Sequence, residues 1–422
     1  MRVCVVGAGR MGLPVAVHMA ASGADVVACD VDERVVDSVA AGRPLFDDEP
    51  GLSEATAEVV AGGRLRASQD TTGSVRDADA VVVLVRMVTT PDGRPDYRNL
   101  DAATAAIGAG VRRGAVVCYE TTLPVGDTRQ RFAPALERAS GMRAGADFHV
   151  CFSPERVSSG SVFADLLRYP KIVGGLTPES AEAGRRLYVE HLGGADVWVL
   201  TSCEAAELTK VAETTYRDVN IALANEFARF ADECAVDIAE VISAANSQPY
   251  SHIHTPGLGV GGHCIPVYPH FFMARASDAR LVRMGRRINE EMPAYAVTRL
   301  RSLLGPLDGR RVLVLGLSYR PDLRESSHST CPDLVRALRK AGADVRVHDD
   351  LFGPDGVDGH GLPWGEIGDG WAEALVLHTA HARYLRLTPA DVAGVRAIMD
   401  GRQVLRRQVW EDAGVAFAGV GR

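Results

Sequence analysis

The stretch that decides the fold is residues 2–30, RVCVVGAGRMGLPVAVHMAASGADVVACD. A short apolar run at 2–6 leads into a glycine-rich turn, a helical pattern extends to about Ala21, and a second apolar run covers 25–29. Strand, turn, helix and strand within about 30 residues form a unit that builds a parallel sheet.

The turn carries Gly7, Gly9 and Gly12 in the GxGxxG spacing. The first glycine allows the tight turn, the second lets the backbone approach a pyrophosphate, and the third lets the helix pack on the strand. Asp30 ends the second strand and can bind the ribose hydroxyls, which favours NAD, although Arg34 nearby keeps NADP open. The alternative is a tight turn that packs and binds nothing.

Farther along the chain, strand-like runs at 80–85, 115–118, 148–152 and 171–173 alternate with segments of helix length. This alternation predicts a parallel, doubly wound sheet whose faces are both covered. Residues 202–234 contain no Gly or Pro, and their apolar positions fit one helical stripe. We therefore expect a long connecting helix, the spine.

A third region opens with RVLVLG at 311–316, another strand that enters a glycine turn, and continues with strand-like runs at 344–348 and 374–378. The predicted fold is α/β, with two Rossmann-like doubly wound domains joined by a long central helical spine. The expected domain boundaries are 1–200, 201–300 and 301–422.

The composition excludes several classes of protein. The net charge of −8 and the pI of about 5.9 argue against a broad nucleic-acid surface, which needs clustered Lys and Arg. No apolar stretch reaches the roughly 20 residues of a membrane span, and no signal-peptide pattern precedes the first strand. The 8 cysteines are scattered without a CxxC pair. This usage is typical of a reducing compartment, so we expect a cytoplasmic protein with neither a nucleic-acid nor a membrane partner.

The most unusual stretch is 254–270, HTPGLGVGGHCIPVYPH. Four glycines within six residues fit a backbone that approaches a ligand closely and then presents Cys264. A nucleophilic thiol needs a lowered pKa and access, which His263 and the backbone N–H groups could supply. The alternatives are a small buried cysteine and a zinc cluster with the nearby histidines. Their spacing fits no standard structural zinc pattern, so we expect no metal.

Several motifs follow one another in order along the chain. Besides the glycine fingerprint they are Asp30-Val31-Asp32, Glu49-Pro50-Gly51-Leu52, Thr121-Thr122-Leu123-Pro124, Ser153-Pro154-Glu155-Arg156-Val157, Pro170-Lys171-Ile172-Val173-Gly174-Gly175, Glu207-Leu208-Thr209-Lys210, residues 216–226, the Cys264 loop, Leu315-Gly316-Leu317-Ser318-Tyr319-Arg320 and Leu323-Arg324-Glu325-Ser326. In this combination the chain resembles the UDP-glucose/GDP-mannose dehydrogenase family over nearly its whole length. The residues of these motifs are most similar to those of the UDP-N-acetylhexosamine (mannosamine-type) branch.

The resemblance implies an NAD-dependent, four-electron oxidation of the C6 alcohol of a UDP-sugar to a uronic acid. Cys264 adds to the aldehyde, the thiohemiacetal becomes a thioester, and water releases the acid. Lys210 stabilises the developing oxyanions, Glu155 shuttles protons or orients water, and Thr122 contacts cofactor and water. The three domains then bind NAD, carry the dimer interface with the catalytic cysteine, and bind the nucleotide sugar.

These expectations fix three sets of residues. The catalytic set is Cys264, Lys210, Glu155, Thr122 and Thr214. The cofactor-binding set is Gly7, Gly9, Arg10, Met11, Gly12, Asp30, Arg34, Thr90 and Thr122. The UDP-sugar-binding set is Glu155, Arg156, Lys210, Arg217, Tyr250, Gly261, Tyr319, Arg320 and Arg324, where guanidinium forks suit a diphosphate. The alternative for each charged member is a solvated surface or helix position.

Three positions depart from the family pattern. Thr214 stands where the family usually has Asn, Tyr268 where it usually has Asp, and Tyr250 where the mannosamine-type arginine reaches a neighbouring subunit's substrate. Thr214 can still hold a water, but Tyr268 cannot replace a carboxylate at neutral pH because its reference pKa is about 10. The departures concern thioester hydrolysis and substrate identity.

Two other functions remain open. A two-electron hydroxyacid dehydrogenase of the 6-phosphogluconate type shares the Rossmann domain and spine but needs neither the cysteine loop nor the last domain. A nucleotide-sugar-binding pseudoenzyme would fit Thr214 and Tyr268. Under every alternative, the apolar surface of the spine predicts a homodimer or larger homo-oligomer.

Overall fold

The chain divides into two units. The computed structural model describes residues 1–46, 49–90, 93–158, 160–194 and 196–422. We call Met1–Glu213 with His270–Ala276 the N-terminal unit, and Thr214–Pro269 with Ser277–Arg422 the C-terminal unit.

The N-terminal unit is built on a mainly parallel sheet. Its strands are β1 (Arg2–Val6), β2 (Asp25–Cys29), β3 (Leu65–Ser68), β4 (Ala80–Val83), β5 (Val88–Thr89), β6 (Pro95–Asp96), β7 (Val116–Tyr119), β8 (His149–Phe152), β9 (Lys171–Gly175) and β10 (Val197–Leu200). β5 and β6 form an antiparallel hairpin, and the others form one sheet in the order β10-β9-β8-β7-β4-β1-β2-β3. β4 and β7 are apolar and buried along their whole length, as expected for a sheet covered on both faces.

One junction departs from the predicted parallel sheet. β8 and β9 run antiparallel, with Cys151 opposite Gly175. The connecting helix has only 7 residues, about 10 Å at 1.5 Å per residue. It does not return the chain along the sheet, so β9 begins at the end where β8 finishes.

Helices cover this sheet and lead into the C-terminal unit. They are α1 (Gly12–Ala21), α2 (Glu33–Ala40), α3 (Leu52–Ala61), α4 (Thr71–Arg76), α5 (Arg98–Gly110), α6 (Ala133–Ser140), α7 (Val162–Arg168), α8 (Pro178–His191) and α9 (Cys203–Cys234). α9 is the predicted spine; it has 32 residues and passes from the N-terminal into the C-terminal unit at residue 214.

The C-terminal unit has its own parallel sheet. Its strands are β11 (Arg311–Leu315), β12 (Asp344–His348), β13 (Ala374–Leu377), β14 (Ala397–Asp400) and β15 (Ala416–Gly419), in the order β12-β11-β13-β14-β15. The remaining helices are α10 (Ile238–Ala245), α11 (Tyr268–Arg275), α12 (Arg280–Leu304), α13 (Cys331–Lys340), α14 (Gly353–Asp358) and α15 (Arg407–Glu411). α13 buries Cys331, Leu334, Val335 and Leu338, the i, i+3, i+4, i+7 face of an amphipathic helix.

In both sheets the strand order reverses beside the first strand, between β1 and β4 and between β11 and β13. Ligands of doubly wound sheets bind at such switch points, beyond the carboxyl ends of the strands. The glycine turns that follow β1 and β11 lie at these points. The predicted fold class, two Rossmann-like α/β domains with a long central helix, is confirmed.

Candidate active site

The turn after β1 has the geometry of a dinucleotide cradle. Gly7 has φ +96°, and a Cβ there would lie 2.8 Å from the backbone of Leu84. A Cβ on Gly12 would lie 1.7 Å from the carbonyl oxygen of Gly7, whereas one on Gly9 would meet no atom of the described residues within 4 Å. The outer glycines are therefore required by the chain itself, while the space over Gly9 is open to a pyrophosphate at the start of α1.

Asp30 fixes this turn and remains partly exposed. Its Oδ2 accepts the N–H of Ala8 at 2.9 Å and its Oδ1 accepts the N–H of Asp32 at 3.0 Å. Each oxygen keeps a further lone pair for a ribose hydroxyl. Arg34 donates from Nη2 to Asp32 Oδ2 at 2.7 Å and from Nε to Oδ1 at 3.0 Å. This pairing occupies the guanidinium that the sequence offered for a 2′-phosphate.

The remaining predicted cofactor residues have local roles in the structure. The Arg10 guanidinium lies 5.0 Å from the centre of the Phe46 ring, and Met11 precedes α1 and packs on the core. Thr90 accepts the N–H of Arg94 and donates to its carbonyl, both at 3.1 Å, which closes the β5–β6 hairpin. Thr122 follows β7 and is 5% exposed.

Glu155 and Lys210 belong to one electrostatic cluster of the N-terminal unit. Burial raises the pKa of Glu155, while the positive charges of Lys210 and Lys171 and the N–H of Val157 oppose this rise. Lys171 pairs with the fully buried Glu120 at 2.8 Å, and Tyr188 donates to the same carboxylate at 2.6 Å. A carboxyl whose pKa lies above its usual range is suited to accept and return protons.

Arg156 is already engaged by its own unit. Its Nη1 donates to the carbonyl of Pro170 at 3.0 Å, and its Nη2 lies 2.5 Å from Glu213 Oε1 on α9. The side chain thus holds the loop after β8 to the long helix.

The Cys264 loop is shaped by glycines in the C-terminal unit. A Cβ on Gly261 would lie 2.5 Å from Tyr319 Cβ, and one on Gly262, which has φ +95°, would lie 2.9 Å from Tyr319 Cε2. The N–H of Gly262 donates to the carbonyl of Ser327 at 2.8 Å. The backbone therefore lies directly against the Tyr319 ring, a contact that only glycine permits.

Cys264 itself is partly exposed, and its carbonyl accepts the N–H of Tyr268 at 2.9 Å, which starts α11. His263 points its Nε2 to Glu325 Oε1 at 2.5 Å. This hydrogen bond ties the cysteine loop to the segment after β11. It gives His263 a structural partner in addition to the thiol-activating role expected from the sequence.

Asparagines that the sequence analysis did not single out support the loop. Asn225 on α9 accepts the N–H of Gly257 at 2.9 Å and donates to Asn289 at 2.9 Å. Asn289 in turn donates to the buried Asp218 at 2.8 Å. Asn220, on the same helix, binds the backbone of His252 and His254. Asn220 and Asn225 belong to the motif at 216–226, which is the signal that could have revealed them.

Predicted catalytic and substrate-binding residues of the C-terminal unit differ in exposure. Tyr250 is 91% exposed and Thr214 only 5%. Arg217 and Arg320 are exposed. Arg324 donates to the carbonyl of Leu351 at 2.8 Å.

Arg402 is a further candidate that the sequence analysis missed. Its Nε donates to the carbonyl of His378 at 2.5 Å, and burial lowers its pKa to about 10. A Cβ on Gly257, at the start of the cysteine loop, would lie 3.1 Å from its Nη1. A guanidinium beside this loop suits a phosphate or a carbonyl oxygen of a ligand. Nothing in the local sequence Asp400-Gly401-Arg402 indicates that its side chain lies beside the cysteine loop.

His378 and His381 have structural roles. His378 is fully buried between Thr330 and Thr379, and His381 binds Asp349 at 3.1 Å. Among the residues that the structure describes, no three His, Cys, Asp or Glu side chains group as metal ligands. In that same part of the chain, no helix combines the length and apolar character needed to cross a bilayer.

Comparison with known proteins agrees with this arrangement along the whole chain. Sequence models of the UDP-glucose/GDP-mannose dehydrogenase family match with their NAD binding domain at residues 1–192, their central domain at 204–291 and their UDP binding domain at 313–407. The UDP-N-acetyl-D-mannosamine dehydrogenase of Pyrococcus horikoshii is 34% identical and covers 100% of this chain and 99% of its own.

Two further proteins are similar over nearly their full length. The NDP-N-acetyl-D-galactosaminuronic acid dehydrogenase of Ralstonia solanacearum is 32% identical, with 95% of each chain covered. The structure of a UDP-glucose dehydrogenase from Pyrobaculum islandicum superposes with a TM-score of 0.88 at 29% identity, covering 100% of this chain and 97% of that chain.

Proposed function

Because this chain belongs to the UDP-glucose/GDP-mannose dehydrogenase family, we propose that it is a nucleotide-sugar 6-dehydrogenase. It is an oxidoreductase with an NAD-binding domain. The proposed reaction is the four-electron oxidation of the C6 alcohol of a UDP-N-acetylhexosamine or UDP-glucose to the uronic acid. The proposed parts are an NAD domain at 1–200, a dimerisation and cysteine region at 201–300 and a nucleotide-sugar domain at 301–422.

The observation that carries the proposal is the presentation of Cys264. Of the 8 cysteines, 6 are buried and Cys234 is exposed at the end of α9, whereas Cys264 is partly exposed on a loop whose glycines lie against Tyr319. A buried structural cysteine needs no such loop. A thiol that must add to a substrate carbon needs both exposure and a close backbone.

The proposed reaction has four steps: oxidation of the alcohol, addition of the thiol, a second oxidation and hydrolysis. NAD, when bound, accepts a hydride from C6 in each of the two oxidations. The alcohol loses a hydride and a proton to become the aldehyde. The Cys264 sulfur then bonds to C6 while its proton goes to the new hydroxyl, giving a thiohemiacetal. Loss of a second hydride and proton leaves a thioester, and water breaks the S–C6 bond, yielding the carboxylic acid and the thiol.

The N-terminal unit would supply the proton-handling groups. Lys210 would stabilise the alkoxide and the tetrahedral oxyanions, since a cation is most effective where negative charge develops. Glu155, whose pKa is raised by burial, would accept and return protons. Thr122, after β7, would orient water, and Thr214 of the C-terminal unit, on α9, would do the same. The turn of Gly7, Gly9 and Gly12 with Asp30 fits NAD.

Side chains of the C-terminal unit would bind the UDP-sugar. Arg320, Arg324 and Arg402 offer guanidinium groups suited to the diphosphate, and Tyr319 with Gly261 shapes the cysteine loop. Arg217 and Tyr250 are exposed and would contact the sugar or nucleotide. Arg156 would act indirectly, because it is held by Glu213.

The exposed apolar stripe of α9 supports a homodimer. Leu208, Tyr216, Leu223, Phe227 and Phe230 are each between 39% and 63% exposed and recur at helical spacing. A second copy of this helix would cover the stripe by an isologous contact. Phe230→Glu should convert the dimer to a monomer by light scattering at micromolar concentration. A monomeric wild type would contradict the proposal.

Substitution of the cysteine tests the proposed function. Cys264→Ser should halt the reaction at the aldehyde or as a dead-end ester, because an alkoxyl ester is a much poorer acyl donor than a thioester. Incubation with a panel of UDP-sugars, followed by mass spectrometry of the products, reads this out. Full uronic-acid turnover by the variant would overturn the role of Cys264.

The second candidate, a catalytically altered or inactive nucleotide-sugar-binding homologue, is favoured by Thr214 and Tyr268. If hydrolysis has lost its water-orienting groups, an acyl-enzyme on Cys264 should accumulate, with a burst of NADH. Tyr268→Asp combined with Thr214→Asn should shrink the burst and raise the steady-state rate. An active wild type without burst or adduct would decide against this candidate.

A further inference from the structure

A buried carboxylate on α9 binds the loop that follows β7. Glu207 is fully buried. Its Oε2 accepts the N–H of Gly126 at 2.6 Å, and its Oε1 accepts both the N–H of Thr128 at 2.8 Å and its hydroxyl at 2.6 Å. Three donors within 2.8 Å place this stretch of α9 and the Gly126–Thr128 turn in one fixed register.

We call the contact of Glu207 with Gly126 and Thr128 the clamp. It lies between two residues of the proposed mechanism. Glu207 precedes Lys210 by three residues on the same helix, and residues three apart share one helix face. Thr122 precedes Gly126 by four residues in the loop after β7. Resting on the proposed function, we propose that Glu207 is a positioning residue that sets Lys210 relative to Thr122 through the Gly126–Thr128 turn.

Ionisation of this buried carboxylate opposes the stability of the folded protein. Burial raises the pKa of Glu207 to about 7, although the hydrogen bonds from Thr128 and Gly126 oppose the rise. Because the folded pKa exceeds the reference value of 4.5, the folded protein binds more protons there, and its stability falls as pH rises from about 4.5 to about 7. An ionised, buried carboxylate that costs stability but orders a loop is what positioning requires.

Other charged groups surround the clamp. Asp127, between the two donor residues, is fully buried and pairs with Arg275 on α11 and with the hydroxyl of Tyr97. Cys203 and Glu204 lie one turn earlier on α9, and Glu204 forms an ion pair with Arg129 of the segment after β7. Among these, the negative charge of Asp127 raises the pKa of Glu207 further.

The Glu204–Arg129 pair supplies a matched control. Glu204 is three residues before Glu207 on the same helix. Its Oε1 lies 2.5 Å from Nε of Arg129, the residue that follows Thr128. The pair is about one-third exposed, so it contributes little to register. Glu207→Gln and Glu204→Gln thus each remove one negative charge from the same helix, one turn apart, and only the first disturbs the clamp.

The test compares kcat of the full-length enzyme across pH. At pH 8, Glu207→Gln should lower kcat roughly 10- to 100-fold, with the KM for NAD little changed, because it misplaces rather than removes Lys210. The ratio of wild-type to variant kcat should fall towards one below pH 7, where Glu207 itself becomes neutral. Glu204→Gln should retain wild-type kcat. A pH-independent ratio, or an equal loss in Glu204→Gln, would overturn the proposal.

Two further measurements keep the proposal testable if Glu207→Gln fails to fold or no UDP-sugar reacts. Thr128→Val removes only the hydroxyl donor and should move the acid limb of kcat to higher pH, because that donor lowers the pKa of Glu207. Amide hydrogen exchange needs no activity: Gly126 and Thr128 should exchange faster in Thr128→Val and Glu207→Gln than in Glu204→Gln. Equal exchange in all variants would refute the clamp, whereas an inactive wild type refutes only the proposed function.

Discussion

The glycine turns at Gly7 and Gly316 begin alike and end differently. Their φ values are +96° and +103°. Each glycine donates its N–H to the last residue of the adjacent strand, Cys29 or His348, at 2.8 Å. In each, the next residue binds the acid that follows that strand: Ala8 donates to Asp30 at 2.9 Å and Leu317 to Asp349 at 2.7 Å.

The two acids, Asp30 and Asp349, differ in how many hydrogen bonds they accept from the chain itself. Asp30 is partly exposed and accepts two backbone N–H groups from the described part of the chain. Asp349 is fully buried and binds the N–H groups of Leu317, Ser318 and Leu351, the Ser318 hydroxyl and His381. Moreover, α1 begins at Gly12, whereas no helix begins after Gly316 until Cys331. The first turn is open to a dinucleotide, and the second is filled by its own chain.

A strand followed by glycine therefore predicts architecture, and the residues after the glycine decide the ligand. In the second turn, Ser318 and Pro321 stand where the first has Gly9 and Gly12. A nucleotide that binds there must be held by side chains, such as those of Arg320 and Arg324, rather than by a helix N-terminus.

The largest expected effect concerns Gly12. Gly12→Ala would place a methyl group 1.7 Å from the Gly7 carbonyl oxygen, so we expect a loss of stability of more than about 4 kcal/mol. Urea unfolding followed by circular dichroism measures it. A variant as stable as the wild type would show that α1 is not held against the turn as closely as the comparison requires.

Asp349→Asn should lower the free energy of unfolding by about 3 kcal/mol, because several hydrogen-bond donors lose a charged acceptor. Burial opposes ionisation of Asp349, yet hydrogen bonds from His381 and Ser318 hold its pKa well below the usual range. Its contribution is therefore present above pH 4 and lost as pH falls below this value. Urea unfolding at pH 7 and pH 3 should show the wild-type advantage narrowing at low pH. An equal advantage at both would contradict the assignment.

Gly9→Ala should leave the fold intact, since no described residue lies within 4 Å of the new methyl group. It should weaken NAD binding roughly 100-fold by filling the pyrophosphate space. Its counterpart Ser318→Ala should lower stability by about 1 kcal/mol and leave NAD affinity unchanged. Calorimetric titration of NAD separates the two. NAD binding by Gly9→Ala as tight as that of the wild type would contradict the difference between the two glycine turns.

The smallest expected effect concerns cofactor choice. Asp30 should repel a 2′-phosphate, so the wild type should prefer NAD, and Asp30→Ala should narrow the preference about 10-fold. The ratio of kcat/KM for NAD and NADP measures this. A wild-type preference for NADP would mean that Arg34 leaves Asp32 and controls the pocket.

Local patterns predicted most of the fold. β12 and α9 match the predicted strand and spine within one residue because unbroken apolar periodicity determines them. The antiparallel β9 was not foreseen, since strand direction depends on a connection whose course local sequence does not encode. Likewise the pairing of Arg156 with Glu213, the hydrogen bond of Arg402 to His378 and the Glu207 clamp depend on partners distant in sequence. Motif spacing identifies such residues without revealing what they bind.

The central claim is that Cys264 makes a second oxidation possible. The most direct measurement counts NADH formed per UDP-sugar consumed, across UDP-N-acetylmannosamine, UDP-N-acetylgalactosamine, UDP-N-acetylglucosamine and UDP-glucose. We predict that one sugar of this panel yields two NADH and one uronic acid per molecule. One NADH with release of the aldehyde, or none with any of the four, would contradict it.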